Sequence, residues 1–264
     1  MQESENGYEE KAYDCPKCKD TGFIVEGWTA HECSCMAQRK LNARIKNAMI
    51  PDEFRDAEFE NYKPINHTQN SMLKAILDYL EKFDKIRSQE RNSFGFIAVF
   101  GEQRLKEVRD PAKRGALQRQ HNNFGLGKTH LQVAAVKQLI KRGYTALIVS
   151  DVTFMEDLSN ARTFDDEGEV FNRLIWAATT CDVLVWDDIG KSKKSESKEK
   201  YYYRIINERY RARKPIIFSS NEDKETLAEK IGGASASRLF GMSLDFLFEV
   251  EGQDYRLTEG ERRV

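Results

Sequence analysis

The sequence lacks the features that mark membrane-spanning, secreted and strongly basic proteins. Nowhere in its 264 residues do 18 apolar residues follow one another, which excludes an ordinary transmembrane helix. The first twenty residues hold four glutamates and no apolar run, so we expect no signal peptide, no membrane partner and a cytoplasmic protein. The formal net charge is −1, which argues against a broadly basic DNA-coating surface. Any contact with nucleic acid must then be local or come from several subunits.

The bulk composition is that of a soluble globular protein. Apolar residues make up 40% of the chain and charged residues 32%. At this length the chain can form one sizeable hydrophobic core and a small additional module.

Four of the five cysteines form two close pairs near the N-terminus. Cys15 and Cys18 are followed, after fourteen residues, by Cys33 and Cys35. Closely paired cysteines in a cytosolic chain favour Zn²⁺ over disulfides, and the stretch between the pairs is long enough for a hairpin. We expect a structural zinc site. Replacement of one cysteine ligand by His31 and a cluster of reduced, non-ligating cysteines remain alternatives.

The N-terminal part is acidic and divides from the rest near residue 50. Residues 1–60 carry a net charge of −5, which favours protein docking over DNA recognition. We expect a module at 1–50 that ends in a helix before Pro51, a linker at 51–68 and an α/β domain at 69–264.

A phosphate-binding loop is indicated by Gly125, Gly127, Lys128 and Thr129. Glycines let backbone N–H groups approach phosphate oxygens, the lysine reaches the β- and γ-phosphates of ATP, and the threonine ligates Mg²⁺. Such a loop follows a buried strand, and the apolar stretch 94–100 supplies one. We expect Gly101, which follows this strand, to be the first phosphate-binding glycine of the loop.

The strand and the loop are too far apart for an ordinary motif. Gly101 and Gly125 are separated by 23 residues instead of two, and removing 104–124 restores the pattern, although the cut can slide by one or two positions. The surplus carries a net charge of +4 and lacks apolar periodicity, which predicts an irregular segment.

Three explanations of this insertion remain open. A solvated excursion that leaves and re-enters at adjacent points costs little, because loop-closure entropy grows only with the logarithm of length. Alternatively, the amides of the loop are no longer preorganised, and nucleotide binding is lost. The third explanation is an accidental insertion in the coding sequence.

Strand and helix patterns alternate after the loop, which predicts a central parallel sheet flanked by helices. Asp187 and Asp188 end the apolar strand that begins at Val183, and Asn221 follows the strand 216–219. Ligands of open α/β sheets bind at such strand ends. One acid is suited to hold Mg²⁺, the other to activate water, and the amide to orient that water. Residues 191–200 are rich in Ser, Lys and Glu, which favours a mobile solvated loop over the alternative of a DNA-binding segment.

Taken together, these patterns resemble bacterial replicative helicase loaders of the DnaC/DnaI type, AAA+ ATPases grouped with the transposition ATPase IstB. The resemblance rests on six stretches in order, namely Cys15–Gly22 with Cys33–Cys35, Gly125–His130, Val183–Gly190, Ile206–Tyr210, Ser219–Asn221 and Ser237–Met242.

The resemblance implies roles for individual residues. Gly125, Gly127, Lys128 and Thr129 correspond to Walker A, Asp187 and Asp188 to Walker B, and Asn221 to sensor 1. Arg238 corresponds to an arginine finger that completes a neighbour's site in a ring or spiral, and Arg256 to sensor 2. Residues 152–164 correspond to a segment that contacts single-stranded DNA, and the zinc module to the part that docks on the hexameric helicase.

Three functions compete at this point. The first is an ATP-dependent helicase loader, which hydrolyses ATP while placing a replicative helicase on single-stranded DNA. The second is a nucleotide-independent replication adaptor whose loop is disabled by the insertion. The third is an IstB-like transposition ATPase.

Overall fold

The structure, a computed structural model, describes residues 13–162, 168–252 and 254. The chain divides into two compact units, the first ending at Arg44 and the second beginning at Ile45. Within the described residues, no helix combines the length and the apolar composition needed to cross a lipid bilayer.

A two-stranded antiparallel hairpin forms the centre of the first unit. Strand β1 (Phe23–Glu26) pairs with strand β2 (Thr29–Glu32), and the turn between them contains Gly27 at a φ of +61°. This is the hairpin expected between the two cysteine pairs. Helix α1 (Cys35–Asn47) follows it directly.

The second unit is built on a five-stranded sheet. Its strands are β3 (Phe94–Ala98), β4 (Ala146–Ser150), β5 (Val183–Asp187), β6 (Ile216–Ser219) and β7 (Leu247–Val250). They lie in the order β4-β5-β6-β3-β7, and every pair is parallel. The carboxyl ends of β3, β5 and β6 therefore meet at one edge of the sheet.

The remaining described elements are helices and short 3₁₀ turns. The helices are α2 (His67–Ile86), α3 (Glu102–Glu107), α4 (Pro111–Gln120), α5 (Lys128–Lys141), α6 (Asp151–Ala161), α7 (Glu169–Thr180), α8 (Glu196–Arg211), α9 (Lys224–Ile231) and α10 (Gly233–Ser243). The 3₁₀ turns are Asp52–Phe54, Phe59–Asn61 and Leu244–Phe246.

Helices cover the sheet on both faces. Alternate strand residues, among them Val149, Trp186 and Phe218, join one core cluster with side chains from α6 to α10. Helix α5 contacts β4, β5 and β6 and packs against α2. A strand buried on both faces reads as a continuous apolar run, which explains why the strands were visible in the sequence. The predicted α/β fold with a central parallel sheet is confirmed.

Two segments that we expected to be irregular contain helix. Most of the insertion forms α3 and α4, and α4 begins where Asp110 Oδ1 accepts hydrogen bonds from the N–H groups of Ala112 and Lys113, with Pro111 at its first position. Helix α8 starts within 191–200, because Ser195 Oγ accepts from the Lys198 N–H at 3.3 Å. Local capping outweighs the lack of apolar periodicity in both segments.

Candidate functional site

The phosphate-binding loop is continuous in the structure and runs from Asn122 to Thr129. Asn122 is joined to the chain beyond β7, since the Gly252 N–H donates to its carbonyl at 2.7 Å and its Nδ2 donates to the Gly252 carbonyl at 2.6 Å. Asn123 Nδ2 lies 3.4 Å from the carbonyl oxygen of Phe100, just beyond β3. The loop thus follows the strand in space, as the motif requires, although not in sequence.

The excursion therefore occupies residues 101–121 and not 104–124. Both segments are 21 residues long, so the length of the surplus was correct and its position was shifted by three residues. The excursion closes where it opens, because the rings of Phe100 and His121 stack with their centroids 5.2 Å apart.

Gly101 is not brought to the loop by the structure, which corrects its assignment as a phosphate-binding glycine. Its N–H donates to Asp223 Oδ2 at 2.9 Å, and a side chain at this position would collide with Thr226. Asn122 takes the position that we predicted for Gly101.

Two glycines give the loop its shape. Gly125 and Gly127 have φ angles of +63° and +84°, a region that favours glycine. A side chain at Gly127 would meet the ring of Tyr62, whose hydroxyl donates to the Leu126 carbonyl at 2.9 Å. A side chain at Gly125 would meet the Asp254 carboxylate. At these two positions the loop can therefore contact phosphate only through its backbone.

Lys128 begins α5 and is buried at the centre of the site. Its Nζ donates to Asn221 Oδ1 at 2.5 Å and to the carbonyl of Asn123 at 3.1 Å. Burial lowers the pKa of the Lys128 ammonium to about 8. The sequence predicted this lysine, and the structure adds its direct contact with Asn221.

Thr129 and Asp187 form a second contact across the same edge of the sheet. Thr129 Oγ1 lies 3.0 Å from both carboxylate oxygens of Asp187, and Ser219 Oγ donates to Asp187 Oδ1 at 2.7 Å. Burial, together with the neighbouring carboxylate of Asp188, raises the pKa of Asp187. A divalent cation fits here, because it would relieve the repulsion between the two acids and take oxygen ligands from Thr129 and Asp187.

Asp188 is held in an uncommon backbone conformation. Its φ is +52°, and its N–H donates to Ser219 Oγ at 3.1 Å. Its Oδ1 accepts from Asn221 Nδ2 at 3.0 Å. Non-glycine residues in this region carry strain that clusters at functional sites. Lys128, Asn221 and Asp188 thus form one hydrogen-bonded chain.

These side chains line a cavity of about 490 Å³. Asn123, Lys128, Asp188 and Asn221 lie on its walls, together with the loop glycines. Another part of the wall comes from the predicted linker, which contributes Phe54, Asn61, Tyr62 and Lys63. We missed this wall in the sequence, where the aromatic residues Phe54 and Tyr62 were the available signal. Aromatic side chains beside a phosphate loop suit a planar base.

Neither the predicted arginine finger nor the predicted sensor 2 arginine lines this cavity in the described part of the chain. Arg238 lies in α10, with its guanidinium 5.1 Å from the ring centre of Tyr203, and donates to the Ala234 carbonyl at 2.9 Å. It does not line the cavity. Arg256 lies outside the described residues, as do the last two residues of the predicted DNA-contacting segment 152–164.

The four paired cysteines meet in the first unit. The Sγ atoms of Cys15 and Cys33 are 3.8 Å apart and those of Cys18 and Cys35 are 3.5 Å apart, and all four lie within 4.8 Å of one another. A tetrahedral zinc site with Zn–S bonds of about 2.3 Å requires sulfur separations of about 3.8 Å. The donor set and its spacing fit Zn²⁺. His31 is exposed in β2 and does not belong to this cluster.

Backbone geometry shapes the first cysteine pair. Lys19 and Asp20 have positive φ angles, so the chain turns back after Cys18, and the Gly22 N–H donates to Cys18 Sγ at 3.4 Å. A hydrogen bond from the Cys18 backbone lowers the pKa of the Cys15 thiol to about 7. The turn favours the thiolate form of Cys15, whereas burial and the neighbouring thiols raise the pKa of Cys35 to about 12.

Comparisons with known proteins agree with this geometry. The family described as IstB-like ATP binding protein matches residues 122–257, so the match begins at the residue where the loop begins. The phage-like element PBSX protein XkdC of Bacillus subtilis is 28% identical over 93% of this chain and 85% of its own length.

Two further relatives come from replication and from a mobile element. The replicative helicase loader DnaC of Escherichia coli K12 is 25% identical over 92% of this chain and 86% of its own length. A protein of insertion sequence IS5376 from Geobacillus stearothermophilus is 30% identical over 51% of this chain and 53% of its own length.

A solved structure of the DnaC helicase loader has the same fold. It superposes with a TM-score of 0.57 and 20% identity over 76% of this chain and 100% of that one. The predicted AAA+ P-loop fold and the resemblance to the DnaC and IstB group are confirmed.

Proposed function

This chain belongs to the IstB-like ATP binding protein family, and we propose that it is an ATP-dependent helicase loader. In this role it places a replicative hexameric helicase on single-stranded DNA when replication starts, and hydrolyses ATP in doing so. The observation that carries the proposal is the continuous loop 122–129, whose Lys128 and Thr129 contact Asn221 and Asp187 at one cavity.

The chain's own side chains divide the work of ATP binding and hydrolysis. Lys128 exchanges its contact with Asn221 for phosphate oxygens, and the N–H groups around Gly125 and Gly127 bind the same phosphates. Thr129 and Asp187 would hold Mg²⁺, which, when bound, neutralises phosphate charge.

Asp188 and Asn221 are suited to act on the attacking water. Asp188 accepts its proton as a general base, and Asn221, now bonded to Asp188, orients it. Release of Asn221 from Lys128 when phosphates bind would free the amide oxygen for that water.

Hydrolysis also needs a cation that this cavity does not receive from Arg238 of the same chain. A second copy would supply it in a ring or spiral, in which Arg238 of one subunit faces the phosphates held by its neighbour. In the structure Arg238 rests on the exposed ring of Tyr203 at the surface, where a neighbouring subunit could reach it.

The cysteine module would dock on the helicase. Phe23, Val25 and Trp28 are exposed on its hairpin, which is an unusual apolar concentration for so small a unit. Cys15, Cys18, Cys33 and Cys35 would hold the structural zinc ion that keeps the hairpin folded.

The two other functions predicted from the sequence have less support than the helicase loader. The nucleotide-independent adaptor presupposed an interrupted loop, and the continuity of 122–129 weighs against it. An IstB-like transposition ATPase is favoured by the IS5376 relative. However, that match covers about half of the chain, whereas XkdC and DnaC match more than nine-tenths of it.

Capture of purified partners tests the proposal. The immobilised chain is incubated with a replicative helicase or a transposase, with and without ATP and Mg²⁺. We expect the parent chain to retain the helicase in a nucleotide-dependent way and Lys128→Ala to lose this retention. The control Lys141→Ala, a surface change on the same helix, should retain the helicase like the parent chain. Retention of the transposase alone would contradict the loader function.

A further inference from the structure

Helix α4 is a cationic helix without a buried face. None of its ten residues is buried, and Lys113, Arg114 and Arg119 are all exposed. Arg109, just before the helix, is also exposed. A helix that is polar on all sides requires either many internal ion pairs or a partner.

Internal ion pairs do not explain α4. Among the described residues, none of the cations Arg109, Lys113, Arg114 and Arg119 has an ion-pair partner. The nearest acid, Asp110, is occupied as the N-terminal cap. Only Asp110, four positions before Arg114, is an acid at this spacing from a cation of the helix, and the two form no ion pair.

The preceding helix, α3, shows the contrast. Arg104 pairs with Asp223 at 2.5 Å and with Glu225. Lys106 and Lys191 both pair with Glu102, at 2.7 and 2.6 Å. The cations of α3 are thus neutralised within the chain, and those of α4 are left for an external anion.

The anchored ends of the excursion place α4 beside the nucleotide site. Helix α4 is followed by His121, whose ring stacks on Phe100 and whose Nδ1 lies 2.9 Å from Glu251 Oε2. The next residue, Asn122, begins the phosphate loop. The helix is therefore anchored at its C-terminal end, while its cationic surface stays open to solvent.

We propose that α4 is a docking site for the phosphate backbone of single-stranded DNA. Its cations point in several directions around the helix, because Lys113, Arg114 and Arg119 are separated by roughly 100° and 140° of helical rotation. A flexible polyanion can follow such a distribution, whereas a rigid acidic protein surface faces only one side. The inference rests on the proposed function, which requires contact with single-stranded DNA.

Neutralising α4 tests the inference directly. The variant Lys113→Gln, Arg114→Gln, Arg119→Gln is compared with a control carrying Lys46→Gln, Lys74→Gln, Lys85→Gln, three exposed lysines elsewhere that also make no ion pair with a described residue. Binding of a fluorescein-labelled oligo(dT) strand is followed by anisotropy between about 50 and 200 mM salt, in the presence of ATP.

The expected result follows from counterion release. Each lost phosphate contact lowers the slope of log affinity against log salt by about 0.7, so three contacts lower it by about 2 and weaken binding roughly hundredfold at 0.1 M salt. The control should retain its affinity and slope. Both variants should melt like the parent chain, because neither change alters a buried residue.

Other outcomes overturn the inference. Equal losses in the two triple variants would indicate nonspecific charge, and unchanged affinity in the α4 variant would exclude the helix from the DNA site. If the α4 variant binds oligo(dT) normally but no longer retains the helicase, the helix docks on protein instead. If the parent chain binds neither oligo(dT) nor helicase, the proposed function itself fails.

Discussion

Replacing the buried Arg209 by methionine should destabilise the second unit strongly. Arg209 is fully buried on α8, and its guanidinium donates to four backbone carbonyls and, at 3.4 Å, to Cys181 Sγ. Nη1 reaches Ala178 and Cys181 at 2.8 and 3.1 Å, and Nη2 reaches Asp182 and Pro215 at 3.2 and 2.8 Å. One side chain therefore joins the end of α7 to the starts of β5 and β6.

The size of the effect follows from these four bonds. A net contribution of about 1 kcal/mol for each gives a loss of about 4 kcal/mol in the free energy of unfolding. A loss of about 4 kcal/mol corresponds to a fall in melting temperature of roughly 8 to 16 °C for a domain of this size.

Thermal and urea unfolding measure the effect. Arg211→Met serves as the control, because Arg211 is exposed on the same helix and should shift the melting temperature by less than about 2 °C. If Arg209→Met unfolded within that same margin of the parent chain, the four carbonyls would not depend on the guanidinium and the reasoning would be refuted.

The remaining variants separate the parts of the proposed mechanism. Cys18→Ser should release zinc, as measured by a colorimetric chelator, and abolish helicase retention while leaving ATP affinity unchanged; equal loss of both activities would show that the two units are not independent. Asp188→Asn should bind ATP but release little phosphate, and normal turnover would remove Asp188 from catalysis. Arg238→Ala should also bind ATP and fail to hydrolyse it, and unaltered turnover would refute the finger assignment.

The parallel sheet could be predicted because its strands are buried on both faces and therefore form continuous apolar runs. The Lys128, Thr129, Asp187, Asp188 and Asn221 positions were likewise visible, since each directly follows a glycine loop or ends a strand. The structure gathers these residues, and their catalytic roles stay predictions.

The position of the excursion could not be predicted from the sequence. Removing residues 101–121 or residues 104–124 leaves a loop of the same length. Gly101 was preferred because it is a glycine. A loop that begins at Asn122 depends on the hydrogen bonds between Asn122 and Gly252 and on the stacking of Phe100 on His121. These are contacts between residues distant in sequence. The Tyr62 wall was missed for the same reason, since its contact with Leu126 spans 64 positions.

Helix α4 was missed for a different reason. Its start signal, Asp110 followed by Pro111, was present in the sequence, but a search for apolar periodicity does not detect a helix that buries nothing. Short helices of this kind are indicated in a sequence by the capping residues at their ends.

The proposed function depends most on a complete phosphate-binding loop at residues 122–129 despite the excursion. Titration with fluorescent ATP and Mg²⁺ tests it on the full chain and on a variant that lacks 101–121, in which Phe100 is joined to Asn122. The stacking of Phe100 on His121 brings these ends together, so we predict equal affinities. Binding by the shortened chain alone would show that the excursion disables the phosphate-binding loop, and would favour the nucleotide-independent adaptor.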